Sequence, residues 1–160
     1  MIILGIDPGT ARVGWGVIET KSRGAAAKAY GCIMTDKSAA DAARLSVIFH
    51  ETSRLLAKFK PQSLSLEAIF FSKNAKTAIG VAQARGVIML AAHEHGVPVV
   101  SYTPNEVKLA ICGYGNAEKL QVQKMVAKLL RLPAIPQPDD TADALAIALT
   151  HMYSHKEWKK

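Results

Sequence analysis

The sequence predicts an α/β fold with a mixed five-stranded sheet flanked by helices, and three observations carry that expectation. Short apolar runs at residues 2–6, 13–19 and 29–35 follow one another closely, separated by turn signals, so the sheet opens with three antiparallel strands. Past residue 41 the hydrophobic spacing changes to steps of three and four, which is one face of a helix. Helical and strand-like stretches then alternate, and such units close by right-handed crossovers that lay helices over the sheet.

Each element has its own warrant. The first strand ends at Asp7-Pro8-Gly9-Thr10, where Pro and Gly punctuate the chain, and the second is near enough to form a hairpin with it. Leu45, Ile48, Phe49, Thr52, Leu55, Leu56 and Phe59 line one helix face. Ser38 with Asp41 reads as its capping box, and Pro61 closes it. Residues 63–67 form a fourth strand with Leu64 and Leu66 on one side. Residues 75–95 are apolar nearly all round and read as a buried helix; residues 97–102 give the fifth strand after Gly96. Three helices complete the chain at residues 105–112, 117–131 and 140–155. Asn116 is the expected N-cap of the second, and Pro133 follows its end. No repeat, linker or low-complexity tract interrupts the pattern, so residues 1–160 are expected to be a single domain, with a basic tail at 156–160.

Composition narrows the function. A chain of 160 residues can bury roughly 70% of its unfolded surface. Its 49% hydrophobic and 21% charged residues exclude a disordered, collagen-like or disulfide-stapled protein. Twenty Lys and Arg against thirteen Asp and Glu give a net charge of +7, which suits a polyanionic partner such as nucleic acid or an anionic surface. Cys32 and Cys112 are expected to be reduced thiols. The N-terminus has no basic stretch and reaches Asp7 and Pro8 after six residues, unlike a signal peptide. No run approaches the ~18 apolar residues of a membrane span, so the expectation is a soluble cytoplasmic protein with no membrane contact.

Four acids lie at the ends of core elements instead of on solvated faces. Asp7 ends the first strand and Glu67 the fourth, while Asp140 and Asp143 share a face in the first turn of the last helix. Singly, Asp7 could be a turn residue, and Asp140 and Asp143 could complement a helix N-terminus. Glu67 is harder to explain so, because a lone Glu finishing a buried strand costs desolvation unless it has a partner. Carboxylates held about 5 Å apart repel by roughly 3 kcal/mol per pair at an effective dielectric near 20, so a cluster of four calls for a cation. Oxygen ligands without His or Cys favour Mg²⁺ or Mn²⁺ over Zn²⁺. Two such ions about 3.5–4 Å apart are a known device for in-line phosphodiester displacement, and a basic protein carrying this cluster points to nucleic-acid hydrolysis.

The chain also resembles the bacterial RuvC family of crossover (Holliday) junction endodeoxyribonucleases along nearly its whole length. The matching segments are Gly5-Ile6-Asp7-Pro8-Gly9-Thr10, Glu67 with Phe70, Lys73-Asn74, and Gln83-Ala84-Arg85-Gly86. Ala117-Glu118-Lys119, Gln121-Val122-Gln123 and Ala142-Asp143-Ala144-Leu145-Ala146-Ile147-Ala148 follow in order. The resemblance implies a ribonuclease-H-like fold, a homodimer, and Mg²⁺-dependent paired nicking of four-way DNA junctions. It also implies a branch-migration partner of the RuvA–RuvB type. Asp7, Glu67, Asp140 and Asp143 match the family's catalytic acids. The approach Pro136-Gln137-Pro138-Asp139-Asp140 is a residue longer than usual, which leaves Asp139 or Asp140 for the first position of the last helix; the three-residue spacing to Asp143 favours Asp140.

Other residues extend this reading. Phe70 and Phe71 with Lys73, Asn74 and Lys76 interleave rings and polar or basic groups beside Glu67, which suits base stacking with phosphate neutralisation, although both rings could instead cap the core. The resemblance implies that Phe70 probes junction bases. Lys119 opposes the dipole of its helix, which suggests a task, and the family places a lysine there near the scissile phosphate. Lys108 is expected to contact phosphate. Ala78, Ala82 and Gly86 form a stripe of small residues for a helix–helix contact, within the chain or between copies. His151 and His155 have metal-binding spacing but no third ligand nearby in sequence. One rival reading is an actin-like kinase or ATPase, whose phosphate hairpin also carries Asp-x-Gly-Thr after a first strand, but such proteins clasp nucleotide between two domains. Another is a junction- or RNA-binding relative without catalysis, against which the full acid set argues.

Overall fold

The computed structural model describes residues 1–68 and 75–154. Five strands, β1 (Ile2–Asp7), β2 (Arg12–Lys21), β3 (Gly24–Met34), β4 (Ser63–Glu67) and β5 (Val99–Tyr102), form one sheet in the order β3-β2-β1-β4-β5. β1 to β3 run antiparallel, whereas β4 and β5 continue from β1 in parallel. Helices α1 (Asp41–Phe59) and α2 (Ala75–Glu94) pack together on one face. Helices α3 (Pro104–Cys112), α4 (Lys119–Leu129) and α5 (Asp139–Ser154) build the other. The expected mixed five-stranded sheet flanked by helices is the observed one.

Strand alternation divides the core in two. Leu4 and Ile6 of β1 and Leu64 and Leu66 of β4 enter the core shared with α1 and α2. Ile3 points the other way, into the core of α3, α4 and α5. Gly5 follows Ile3 on that side, and a Cβ there would run into the Ala144 carbonyl and the Ala148 side chain of α5. Gly14 of β2 is pressed in the same way by the Asp140 carbonyl. The missing side chains let α5, whose residues are buried almost throughout, lie directly on β1 and β2.

Several element ends differ from the sequence expectation. β3 begins at Gly24, because the hairpin pairing Lys21 with Gly24 draws Ala25–Ala27 into the ladder despite their modest strand propensity. The Ser38–Asp41 capping box does not form: Ser38 donates through both its amide and its hydroxyl to Asp36, and Ala40 takes the N-cap position of α1. Asn116 does not cap α4, which starts at Lys119 after Glu118. A reciprocal capping box does form at α3, where Thr103 and Glu106 bond to each other.

α2 is not buried all round. Ala84, Ile88, Ala91 and Ala92 enter the core, but Ile79 is 65% exposed and Met89 and Leu90 also face outward. Ala82 and Gly86 of the small-residue stripe lie on exposed positions, with nothing near a Cβ built on Gly86. The stripe is therefore not a packing surface within the described chain, because α1 and the sheet occupy only the inner side of α2. Cys32 and Cys112 are free thiols. Among the described residues no helix is long and apolar enough to cross a membrane.

Candidate active site

The acids meet because of strand parity. Asp7 follows Ile3 and Gly5 on the α5 side of β1, and Glu67 follows Ser63 and Ser65 while its neighbours Leu64 and Leu66 go to the opposite core. The parallel register pairs Ile6 with Leu66, so the next residue of each strand ends level with the other at the same sheet edge. The close seat of α5 on Gly5 and Gly14 brings its first turn, and Asp143 with it, to this edge.

Asp7, Glu67 and Asp143 line one cavity of about 320 Å³ together with Lys108 and Lys119, over an apolar floor that includes Val107, Val122 and Ile147. The Asp7 and Glu67 carboxyls face each other closely enough to act directly on one another. Burial pushes Asp7 up to about 9, and the negative charges of Glu67, Asp143 and Asp140 add to the effect. Burial also raises Glu67, against the opposing pull of the Asp7 hydrogen bond and of Lys119 and Arg85. Asp143 is raised by burial and partly relieved by Lys119.

Lys119, the first residue of α4, sits where the helix dipole disfavours a cation, and two carboxylates hold it there. Its Nζ donates to Asp139 Oδ2 at 2.7 Å and stands 2.8 Å from Asp143 Oδ2. Burial pulls the ammonium down, but the hydrogen bonds to Asp139 and Asp143 and their charges outweigh it and raise it above the usual lysine value. Asp139 is lowered, chiefly by the Lys119 hydrogen bond.

Asp140 stands beside the cavity, not in its wall. Arg12 Nε lies 3.1 Å from Asp140 Oδ2, and Arg12 Nη2 lies 3.7 Å from Asp139 Oδ1. That Asp140 oxygen is buried and accepts no hydrogen bond, so the Arg12 contact is an ion pair only. Among the described residues no three His, Cys, Asp or Glu side chains already surround a point as metal ligands do. The expectation of four gathered acids is thus met for three, with the fourth turned toward Arg12 and acting on Asp7 through its charge.

Of the other expected residues, Lys108 lines both this cavity and an adjoining groove at Thr103, Asn105 and Gly115. Phe70, Phe71, Lys73 and Asn74 lie outside the described residues, as do the side chain of Lys76, His155 and the tail 156–160. His151 is buried, with Nδ1 2.8 Å from the Tyr102 hydroxyl, an arrangement of the core. Sequence reasoning gave no role to Arg12 or Arg85, and weighed Asp139 only as the alternative to Asp140, not as the partner of Lys119. Arg85 donates to the Glu67 carbonyl and, at 3.1 Å, to Ser101 Oγ. Its signal was available: a lone charge inside an apolar helical stretch needs a partner.

The sequence profile of crossover junction endodeoxyribonuclease RuvC matches residues 3–151 of this chain. The chain belongs to the RuvC family. The RuvC protein of Fusobacterium nucleatum is 48% identical over 154 residues, covering 96% of this chain and 81% of that protein. The solved structure of Thermus thermophilus RuvC superposes with a TM-score of 0.90 at 36% identity, covering 96% of this chain and 94% of that one. Thermus thermophilus RuvC in complex with a Holliday junction substrate gives 0.88 at 34% identity over the same shares. The RuvC architecture, ribonuclease-H-like, is therefore the one described above, and RuvC proteins are crossover junction endodeoxyribonucleases.

Proposed function

We propose that this RuvC-family chain is a Holliday junction resolvase, a dimeric, metal-dependent endonuclease that makes paired symmetric nicks in four-way DNA junctions during recombination and repair. The observation that carries the reading is the meeting of Asp7, Glu67 and Asp143 in one cavity with Lys108 and Lys119 at its wall. The donor set fits hard divalent cations: it is all oxygen, burial and the neighbouring acids push Asp7 well above its ordinary value, and Asp140 Oδ2 is buried without a hydrogen bond. Asp7, Glu67, Asp140 and Asp143 would hold two Mg²⁺ ions, with Mn²⁺ as a substitute. Bound there, such ions supply Lewis-acid activation of the attacking water and of the leaving oxygen.

The chain's own groups then have separable roles. Asp7, whose carboxyl is raised by burial, would lose its proton to solvent as a cation binds, so that it and Glu67 present two anionic carboxylates. Lys119, paired with Asp139 and Asp143 in the free protein, offers its ammonium to the charge that develops on the reacting phosphate. Lys108 and the basic surplus bind the DNA backbone, and Phe70, Phe71, Lys73, Asn74 and Lys76 follow Glu67 in sequence as the segment that meets junction bases and phosphates. The outward face of α2, with Ile79, Ala82, Gly86, Met89 and Leu90, is the surface for the second copy. We further propose that residues 1–160 act as one nuclease domain in the cytoplasm, alongside a branch-migration complex of the RuvA–RuvB type.

The test is incubation with a labelled mobile four-way junction and Mg²⁺. Two symmetric nicks are expected, and Asp7→Asn, Glu67→Gln and Asp143→Asn should each abolish them while junction binding survives. Absence of nicks across a range of junction sequences would contradict the reading.

A further inference from the structure

We propose that Arg85 is a positioning residue for Glu67, tying the strand end that carries this carboxylate to helix α2 and to strand β5. The inference rests on the reading of Glu67 as a metal ligand. Glu67 is the last residue of β4, paired in register with Tyr102 of β5, and the ladder runs on by one bond from the Ala68 amide to the Tyr102 carbonyl. At this strand end the Glu67 carbonyl accepts from Arg85 Nη1. The other arm of the guanidinium donates to Ser101 Oγ at 3.1 Å, and Ser101 is paired in register with Leu66 on β5. One planar fork therefore spans α2, the end of β4 and the neighbouring strand.

That geometry matches what a ligand at a strand end requires. A carboxylate whose own backbone is loose adopts many positions, and a cation site is only as well formed as the groups that orient its ligands. Arg85 is half-buried next to the core residue Ala84, and its fork reaches from α2 to the sheet edge. Both hydrogen-bond acceptors of the guanidinium are neutral oxygens, and its charge in addition favours the ionised Glu67 carboxylate. A lysine there would reach one acceptor at a time, whereas arginine spans both.

The experiment compares Arg85→Gln, Arg85→Lys, Ser101→Ala and Glu67→Gln in the 160-residue protein by calorimetric titration with Mn²⁺. Half-saturating Mn²⁺ for junction cleavage is measured alongside, as are junction affinity and thermal melting. Loss of a group that orients a metal ligand typically costs roughly 10–100-fold in metal affinity or activity, and that loss is expected for Arg85→Gln with junction affinity unchanged. Arg85→Lys should recover part of it. Ser101→Ala, an exposed change that keeps the fold, should weaken Mn²⁺ by roughly 2–10-fold, the value of one hydrogen bond. Arg85→Gln binding Mn²⁺ as tightly as the parent, while Glu67→Gln does not, would overturn the role of Arg85 alone. Parental Mn²⁺ binding in Glu67→Gln would instead overturn the reading of the site. Should Arg85→Gln fail to fold, parental Mn²⁺ affinity in both Ser101→Ala and Arg85→Lys overturns the proposal.

Discussion

Asp7 is held in a state that costs the free protein stability. Its carboxyl lies at about 9 in the folded chain against 3.8 for an ordinary Asp, because burial and the nearby acids disfavour its charge. Between these values the folded form binds more protons than the unfolded one, so stability falls as pH rises through this window. The metal-free protein should therefore melt at progressively lower temperature from about pH 5 to pH 9. Asp7→Asn should flatten that dependence and add roughly 1–2 kcal/mol at neutral pH, read by calorimetry with a chelator present. A steeper pH dependence in the variant would refute the assignment of burial and repulsion to this residue. Mg²⁺ should raise the parent's melting temperature more than the variant's, since a ligand stabilises only the form that binds it. Asp7 and Glu67 were legible in the sequence because each ends a strand whose alternation is unambiguous. The partners of Lys119 and Arg12 were not, since Lys119 meets Asp139 across twenty residues through a side-chain geometry that no local pattern records.

At the scale of elements, the seat of α5 on β1 and β2 decides whether Asp143 reaches Asp7. Gly14→Ala would drive a methyl into the Asp140 carbonyl, and overpacking of this kind costs typically 1–3 kcal/mol. It should also lift the first turn of α5, where a shift of about 1 Å can cost roughly 10²-fold in rate. Cleavage falling while junction binding holds is the expected pattern; an unchanged rate would show that α5 is not so tightly placed. The Thr103 cap fixes the start of α3 and thereby Lys108, and Thr103→Ala should cost about 0.5–2 kcal/mol in denaturant unfolding. Strand β4 matched its sequence expectation because Leu64 and Leu66 alternate cleanly with Ser63, Ser65 and Glu67. The cap of α1 did not, because Asp36 competes for the Ser38 hydroxyl, a turn interaction that outranks a cap three residues on.

For the whole molecule, the exposed face of α2 is the largest departure from the sequence expectation and the one with most consequence. Hydrophobic residues all round a helix predict burial, but periodicity does not say whether the covering surface belongs to the same chain. Ile79, Met89 and Leu90 remain outward after folding, on the opposite side from Ala84 and Ile88. Ile79→Glu with Leu90→Glu should convert a dimer to a monomer in sedimentation and replace paired nicks by single ones, with melting of the folded monomer still cooperative. Dimers that persist in this variant would place the interface elsewhere. The net charge of +7 predicts junction binding that weakens steeply with salt, because each neutralised phosphate releases counterions.

The central claim is that acids distant in sequence converge at one sheet edge to hold divalent ions. A crystal structure of the protein soaked in Mn²⁺, read through the anomalous signal of the metal, tests it most directly. The account predicts density within coordination distance of Asp7 and Glu67, with Lys119 released from Asp143. Saturating Mn²⁺ with no density there, or Glu67 facing solvent away from Asp7, would contradict it.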